Sequence, residues 1–224
     1  MSESQANRLV IGTRRYSSWS LRGWLAVRIA GLDVVDVVIP LRGGGQTTEI
    51  HAISPNGLVP YLEHDGARVW ESLAICEYCA EFAPSLWPAG RIERAHARSM
   101  ASEMHGGFRA LRQALPMNLG RIARARAALD DETLKDIRRV DDMWRTARQA
   151  FGGSGPYLFG AEFTVPDIMF APVVTRFDSY AVSLSPEAAE YAAAVLDHPL
   201  LREWQSLAAA EPTAWRLAHY ESLE

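Results

Sequence analysis

The spacing of apolar and polar residues along the chain changes character near residue 90. Residues 9–13 (LVIGT) and 34–40 (VVDVVIP) are short β-branched runs. Between them, residues 21–29 carry apolar side chains at helical spacing up to Gly31. Strand, helix and strand in this order predict a βαβ unit with the two strands parallel. After a flexible loop at 42–46, residues 47–53 predict a short irregular helix and Ser54-Pro55-Asn56-Gly57 a turn. Residues 58–63 then read as a strand, His64-Asp65-Gly66 as a hairpin turn and 67–70 as the return strand. Ser72 stands at the start of an apolar-periodic helix.

Residues 83–90 (APSLWPAG) interrupt this order with two prolines and a glycine. Beyond them only helical spacing is found. It runs over 91–115, interrupted or kinked at Gly106-Gly107, and then over 130–151, 166–177, 186–196 and 199–210. The expected organisation is an α/β domain of thioredoxin-like order at 1–83, a linker at 84–90 and an all-helical domain at 91–224. Thr164-Val165-Pro166-Asp167 has the layout of a capping box and is assigned to helix initiation.

Composition narrows the function. Hydrophobic residues make up 48% and charged residues 22%, the values of an ordinary globular protein. A net charge of -4 argues against nucleic acid or an anionic membrane as the main partner. No apolar run approaches the roughly 20 residues that span a bilayer. The first ten residues lack the basic-then-apolar layout of a secretory signal. Cys76 and Cys79 are too few for a disulfide framework, so a reducing cytoplasm is the expected compartment. Two cysteines and six scattered histidines offer no metal-ligand spacing, and no metal is expected. Although Cys76-Glu77-Tyr78-Cys79 is a Cys-x-x-Cys, it lies inside a helix and reads as two small buried residues. The arginine clusters at 91–98 and 121–126 read as solvated faces.

Two stretches carry chemistry. In Asn56–Tyr78, NGLVPYLEHDGARVWESLAICEY, a proline follows Val59 at a strand entrance and Ser72 opens a helix. If the Val59-Pro60 bond is cis, the Val59 backbone is free to pair with an extended peptide. The unpaired N–H groups of a helix start seat a carboxylate. An ordinary hairpin followed by a capped helix explains the same residues. The second stretch is Tyr16-Ser17-Ser18-Trp19-Ser20-Leu21-Arg22, after the first strand. A thioredoxin-like redox enzyme keeps Cys-x-x-Cys there. Serines stand at both places here, and a hydroxyl can donate to a thiolate supplied by a ligand. Plain helix capping by Ser17, Ser18 or Ser20 is the alternative.

V-P-x-L, D-G and E-S-x-A-I-x-x-Y, in this order and spacing, resemble the glutathione-binding half of the cytosolic glutathione transferases. The resemblance implies glutathione as co-substrate, with Val59 pairing through its backbone, Pro60 as the cis-proline, and Glu71 and Ser72 holding the γ-glutamyl end. Gln46 falls where the family often places a polar side chain near the glycyl end, and His51 is a similar carry-over. S-S-W-S-L-R resembles the S-S-C-x-x-R signature of the serine-type zeta class. By that match Ser17 stabilises the thiolate, with Ser18 or Tyr16 as alternative donors, and Arg22 is the basic residue of the first helix. Trp19 replaces the motif's cysteine, which places the isomerase activity of that class in question. Trp19, Met104, His105, Phe108 and Arg112 are expected to line the pocket for the electrophile. The resemblance further implies a homodimer and a detoxifying transferase or isomerase. A non-catalytic glutathione-binding protein of the same fold is the alternative.

Overall fold

The structure, a computed structural model, describes residues 7–43, 47–126, 128–153 and 155–222. The two β-branched runs become β1 (Arg8–Gly12) and β2 (Val35–Ile39), parallel and joined by helix α1 (Ser18–Ile29). A short α2 (Thr48–His51) leads to the hairpin β3 (Tyr61–His64) and β4 (Ala67–Trp70), then to α3 (Ser72–Phe82). Strand order is β2-β1-β3-β4. β3 runs antiparallel to β1 with Leu9 opposite Leu62, and β4 antiparallel to β3. Helices α1 and α3 pack on each other, whereas Ile50 of α2 joins Val10, Ile39 and Tyr61 in a separate small cluster.

Two boundaries differ from the sequence reading. α1 opens at Ser18 rather than at Leu21, because Ser17 caps it and Ser18 and Ser20 turn inward on its first turn. A polar composition concealed that turn. β3 opens at Tyr61 rather than at Leu58, since Pro60 has no N–H for the ladder and Leu58 is exposed.

The second half is helical among the described residues: α4 (Arg91–Gly106), α5 (Arg109–Ala114), α6 (Asp131–Phe151), α7 (Val165–Ser179), α8 (Pro186–Asp197), α9 (Pro199–Ala209) and a terminal turn, α10 (Ala218–Glu221). Short 3₁₀ turns lie at Pro84–Leu86 and Thr213–Trp215. The expected break near Gly106-Gly107 separates α4 from α5, with Phe108 in the left-handed region at φ 60°. α6 is amphipathic, its N-terminus capped by Asp130, whose carboxylate accepts the Thr133 N–H at 2.7 Å. α7 is buried on nearly every side and packs against both α1 and α4. Its start is held by the Thr164–Asp167 capping box. One apolar core runs from Leu9 to Trp204 through the buried Leu86 and Trp87, so the two halves are joined by packing as well as by chain. Among the described residues no helix is long and apolar enough to cross a membrane.

Candidate active site

The site forms where the first turn of α1 meets α5, α7 and the C-terminal turn. Ser17, at the N-cap of α1, accepts the Ser20 N–H at 3.3 Å and donates to Ser20 Oγ at 2.7 Å. Ser20 Oγ also accepts the Gly12 N–H at 3.0 Å, which ties the end of β1 to the start of α1. Ser18 Oγ accepts from Arg176 Nη2 at 3.1 Å. These bonds aim the positive end of α1 into a cavity of about 440 Å³. Ser17, Ser18, Trp19, Val59, Arg112, Pro116, Met117, Arg176, Leu217 and Tyr220 are among its walls.

A second, smaller cavity of about 180 Å³ adjoins it, lined by Trp19, Asn56, Leu58, Val59, Pro60, Glu71 and Ser72. Trp19, Leu58 and Val59 belong to both. The Val59-Pro60 peptide is cis. Gly23 of α1 packs directly on that proline, and a Cβ there would stand 2.8 Å from Pro60 Cγ. Val59 lies outside the strand ladder, and among the described residues its backbone N–H and C=O have no hydrogen-bond partner. Ser72 is fully buried, and its hydroxyl has no partner at all among the described residues. Beside it the Glu71 carboxylate is exposed, Oε1 accepting from Asn56 Nδ2 at 3.1 Å. A buried hydroxyl at the start of an 11-residue helix suits a carboxylate, and an adjacent carboxylate suits an ammonium. Together they match the zwitterionic end of an amino acid, with the Val59 backbone ready to pair with the peptide that follows it.

Three guanidiniums converge on the first turn of α1. Arg22, fully buried, donates through Nε to the Met169 carbonyl at 3.0 Å, and Nη1 and Nη2 have no hydrogen-bond partner among the described residues. Arg112 donates to the carbonyls at the end of α4: Nε to Gly107 at 3.0 Å and Nη2 to Met104. Its Nη1 is buried and has no hydrogen-bond partner among the described residues. The guanidinium carbons of Arg22 and Arg112 each stand 4.7 Å from the Trp19 ring, within cation–π range. Burial lowers all three guanidiniums, Arg112 to about 10 and Arg176 to about 9, with Arg112 adding repulsion on Arg176. Among the described residues none of the three forms an ion pair. An arginine does not surrender its proton in proteins, so the lowering reflects charge that burial has taken out of water.

The sequence expectations sort cleanly. The structure brings together Ser17, Ser18, Trp19, Val59, Pro60, Glu71, Ser72 and Arg112. Met104 does not line the cavity: it points from the inner face of α4 into the core and is wholly buried. Phe108 is likewise buried in the core, its left-handed backbone serving the turn between α4 and α5. His105 is not among the lining of either cavity. It meets the Trp19 ring edge-on at 5.3 Å and lies 3.6 Å from Glu71 Oε2, and burial holds its imidazole below the ordinary value. His51 packs by its ring against Gly57 rather than reaching either cavity. Gln46 lies outside the described residues. Tyr16 lines the cavity, but its hydroxyl is committed to the C-terminal turn, donating to Glu221 and accepting the Leu217 N–H. Cys76 and Cys79 are buried, and burial pushes both thiols up, Cys79 to about 12. Neither wall of the site contains them. Sequence reasoning missed Arg176, whose signal was a lone arginine in the apolar run VPDIMFAPVVTRF, and it missed Leu217 and Tyr220 beyond the last expected helix.

Comparison with known proteins meets this geometry. Residues 16–81 match the family model described as glutathione S-transferase, N-terminal domain, and residues 94–204 the one described as glutathione S-transferase, C-terminal domain. The chain belongs to the glutathione S-transferase family. It is therefore a glutathione-dependent enzyme, with glutathione as co-substrate. A maleylacetoacetate isomerase of Rhizobium meliloti (strain 1021) is 34% identical over 189 residues, covering 80% of this chain and 86% of that protein. A maleylacetoacetate isomerase of Rattus norvegicus is 28% identical over 198 residues, covering 81% and 84%. Among solved structures, a maleyl pyruvate isomerase described as a bacterial zeta-class transferase superposes with a TM-score of 0.70 at 22% identity, over 92% of this transferase and 99% of that chain. These relatives are named as enzymes, and nothing in the comparisons supports a non-catalytic reading. Among the described residues no group of three or more His, Cys, Asp or Glu is arranged to hold a metal ion.

Proposed function

We propose that this transferase directs the glutathione thiol, held at the first turn of α1, onto a small electrophile that carries carboxylate groups. The observation that carries the reading is the pair of guanidiniums on the larger cavity, Arg112 and Arg176, neither of which forms an ion pair among the described residues. In this reading residues 1–83 hold glutathione: Val59 pairs with its backbone, and Ser72 and Glu71 grip the γ-glutamyl end. Residues 91–224, beyond the 84–90 linker, supply the anion-binding wall.

Ser17 is assigned as the donor to the thiolate. Ser20 Oγ already accepts from Gly12, so turning its proton toward Ser17 Oγ frees the Ser17 proton for the cavity while every backbone bond is kept. Ser18, polarised by Arg176, is the neighbouring alternative. One charge-assisted hydrogen bond with the helix dipole lowers a thiol from about 8.5 by about one to two units.

The names of the relatives favour isomerisation of an unsaturated acid. Thiolate adds to the double bond, the resulting single bond rotates, and thiolate leaves, so glutathione is regenerated and nothing is consumed. Trp19 in place of the motif cysteine leaves this path open in our reading, since its ring stands against Arg22, Arg112 and His105 and holds no group that the path requires. We further infer a cytoplasmic homodimer, in which half-exposed Trp70 and Phe82 and exposed Ile92 are available for cover.

The test compares wild type with Arg112→Gln and Arg176→Gln on matched electrophiles, one a cis-unsaturated keto acid and the other its neutral ester. The expected result is a rise in KM for the acid of at least tenfold in either variant, with the ester changed less than twofold. Equal losses on acid and ester would overturn the anion-binding role. No turnover of any carboxylate-bearing electrophile by wild type would overturn the substrate class.

A further inference from the structure

The C-terminal turn is wired to the loop that carries the catalytic serines. Leu217 and Tyr220 form part of the larger cavity's wall. Behind them Glu221 accepts four hydrogen bonds from side chains far away in sequence. Its Oε1 accepts from Tyr16 Oη at 2.6 Å, Arg15 Nε at 3.0 Å and Asn118 Nδ2 at 3.2 Å, and its Oε2 accepts from Arg15 Nη2 at 3.0 Å. Tyr16 Oη in turn accepts the Leu217 N–H at 3.2 Å, and the Tyr16 and Tyr220 rings stack at 5.3 Å with an interplanar angle of 26°. The other side of the turn closes on the loop after β2, where a Cβ on Gly43 would stand 2.8 Å from the His219 ring. A terminal turn of four residues has too little backbone bonding to persist in isolation. It is kept by these contacts, and most of them end on the two residues immediately before Ser17.

We propose that Glu221 is a positioning residue, a latch that holds the C-terminal turn as a wall of the electrophile cavity and fixes the Arg15–Tyr16 segment from which Ser17 and Ser18 project. The inference rests on the assignment of the larger cavity to the electrophile. With the latch closed, Leu217 and Tyr220 wall the cavity and set the size of the electrophile it can take. With the latch open, that wall is lost and the serine turn loosens, while the glutathione grip at Val59 and Ser72 is untouched because neither residue contacts the latch.

The test uses Glu221→Ala, Glu221→Gln, Tyr16→Phe and the Tyr16→Phe/Glu221→Ala double variant, with three readouts. Glutathione affinity is measured by calorimetry, kcat and KM with a carboxylate-bearing electrophile, and amide exchange at Leu217 and at residues 17–20 by mass spectrometry. The expected result for Glu221→Ala is a fall in electrophile kcat/KM of about tenfold with glutathione affinity within about twofold. Exchange should rise together at Leu217 and at 17–20. Glu221→Gln keeps an acceptor for Tyr16 but loses the charge facing Arg15, so it should fall between wild type and Glu221→Ala. Tyr16→Phe should produce the same exchange signature, and the double variant should be no worse than Glu221→Ala, because both remove one linkage. Electrophile kinetics within twofold of wild type in Glu221→Ala, or faster exchange at Leu217 with 17–20 unmoved, would overturn the latch. If wild type turns over no electrophile, the substrate assignment fails, and the coupled exchange still decides whether the latch exists.

Discussion

Removing the Ser72 hydroxyl should move stability and ligand affinity in opposite directions. Ser72 is fully buried, and its Oγ has no partner among the described residues. An unpaired buried hydroxyl costs about 1–3 kcal/mol, so Ser72→Ala should stabilise the ligand-free enzyme. At roughly 2–4 °C per kcal/mol for a chain of this size, the melting temperature should rise by a few degrees. Glutathione binding loses a hydrogen bond to a charged group, worth about 1.5–3 kcal/mol, which at 1.4 kcal/mol per decade is about 10- to 150-fold in Kd. The two effects are read by thermal denaturation without ligand and by calorimetric titration with glutathione. Ser72→Thr, which keeps the hydroxyl, should retain most of the affinity. A lower melting temperature together with unchanged glutathione affinity would refute the reasoning, for it would make Ser72 a structural residue with a partner inside the protein.

Four further outcomes follow from the same geometry. Ser17→Ala should leave glutathione affinity within about threefold but raise the apparent pKa of the bound thiol, read from thiolate absorbance against pH, by about one unit or more; an unmoved absorbance curve would transfer the role to Ser18. Trp19→Ala should raise KM for a carboxylate-bearing electrophile several-fold, since two contacts of about 0.5–2 kcal/mol each orient Arg22 and Arg112, and Trp19→Phe should restore part of it. Cys76 and Cys79 should resist a thiol reagent in the folded enzyme and react fully in denaturant, because burial pushes both thiols up and covers them; rapid labelling of the native enzyme would contradict their placement. The Asp167 carboxyl is raised by burial to about 6. The folded state therefore binds its proton more tightly than the unfolded state, and stability should fall as pH rises from about 4 to about 6, by up to about 3 kcal/mol from this group alone. In Asp167→Asn that segment of the pH–stability curve should flatten, and the variant should be weaker throughout for loss of an acceptor to Thr164 or Leu158.

The fold was legible wherever local spacing and burial agree. The β-branched runs of β1 and β2, the Asp65-Gly66 hairpin and the capping box of α7 each satisfy their own backbone locally, so their residues announce them. The polar first turn of α1 was hidden because its serines are buried by tertiary contacts rather than by apolar character. The terminal turn was hidden for a related reason, since Tyr16, Arg15 and Asn118 stabilise it from more than 100 residues away.

The site divides along the same line. Its holding half, from Val59 to Ser72, lies in one continuous stretch and could be read there as a unit. The larger cavity, proposed for the electrophile, is assembled from single side chains of α1, α5, α7 and the terminal turn, and no spacing relates them. Met104 and Phe108 are expected in the pocket as apolar surface on the first long helical run, yet an apolar residue on an inner helix face has a core to fill before a pocket. Arg176 lies on that same inward side and cannot fill an apolar core without cost. Its burial next to Arg112 without a carboxylate is tolerable to the fold only because the carbonyl of Pro172 and the hydroxyl of Ser18 take up part of its charge. Arg176 also lines the larger cavity, so in the proposed reading a charge that costs the fold stability serves to select the substrate.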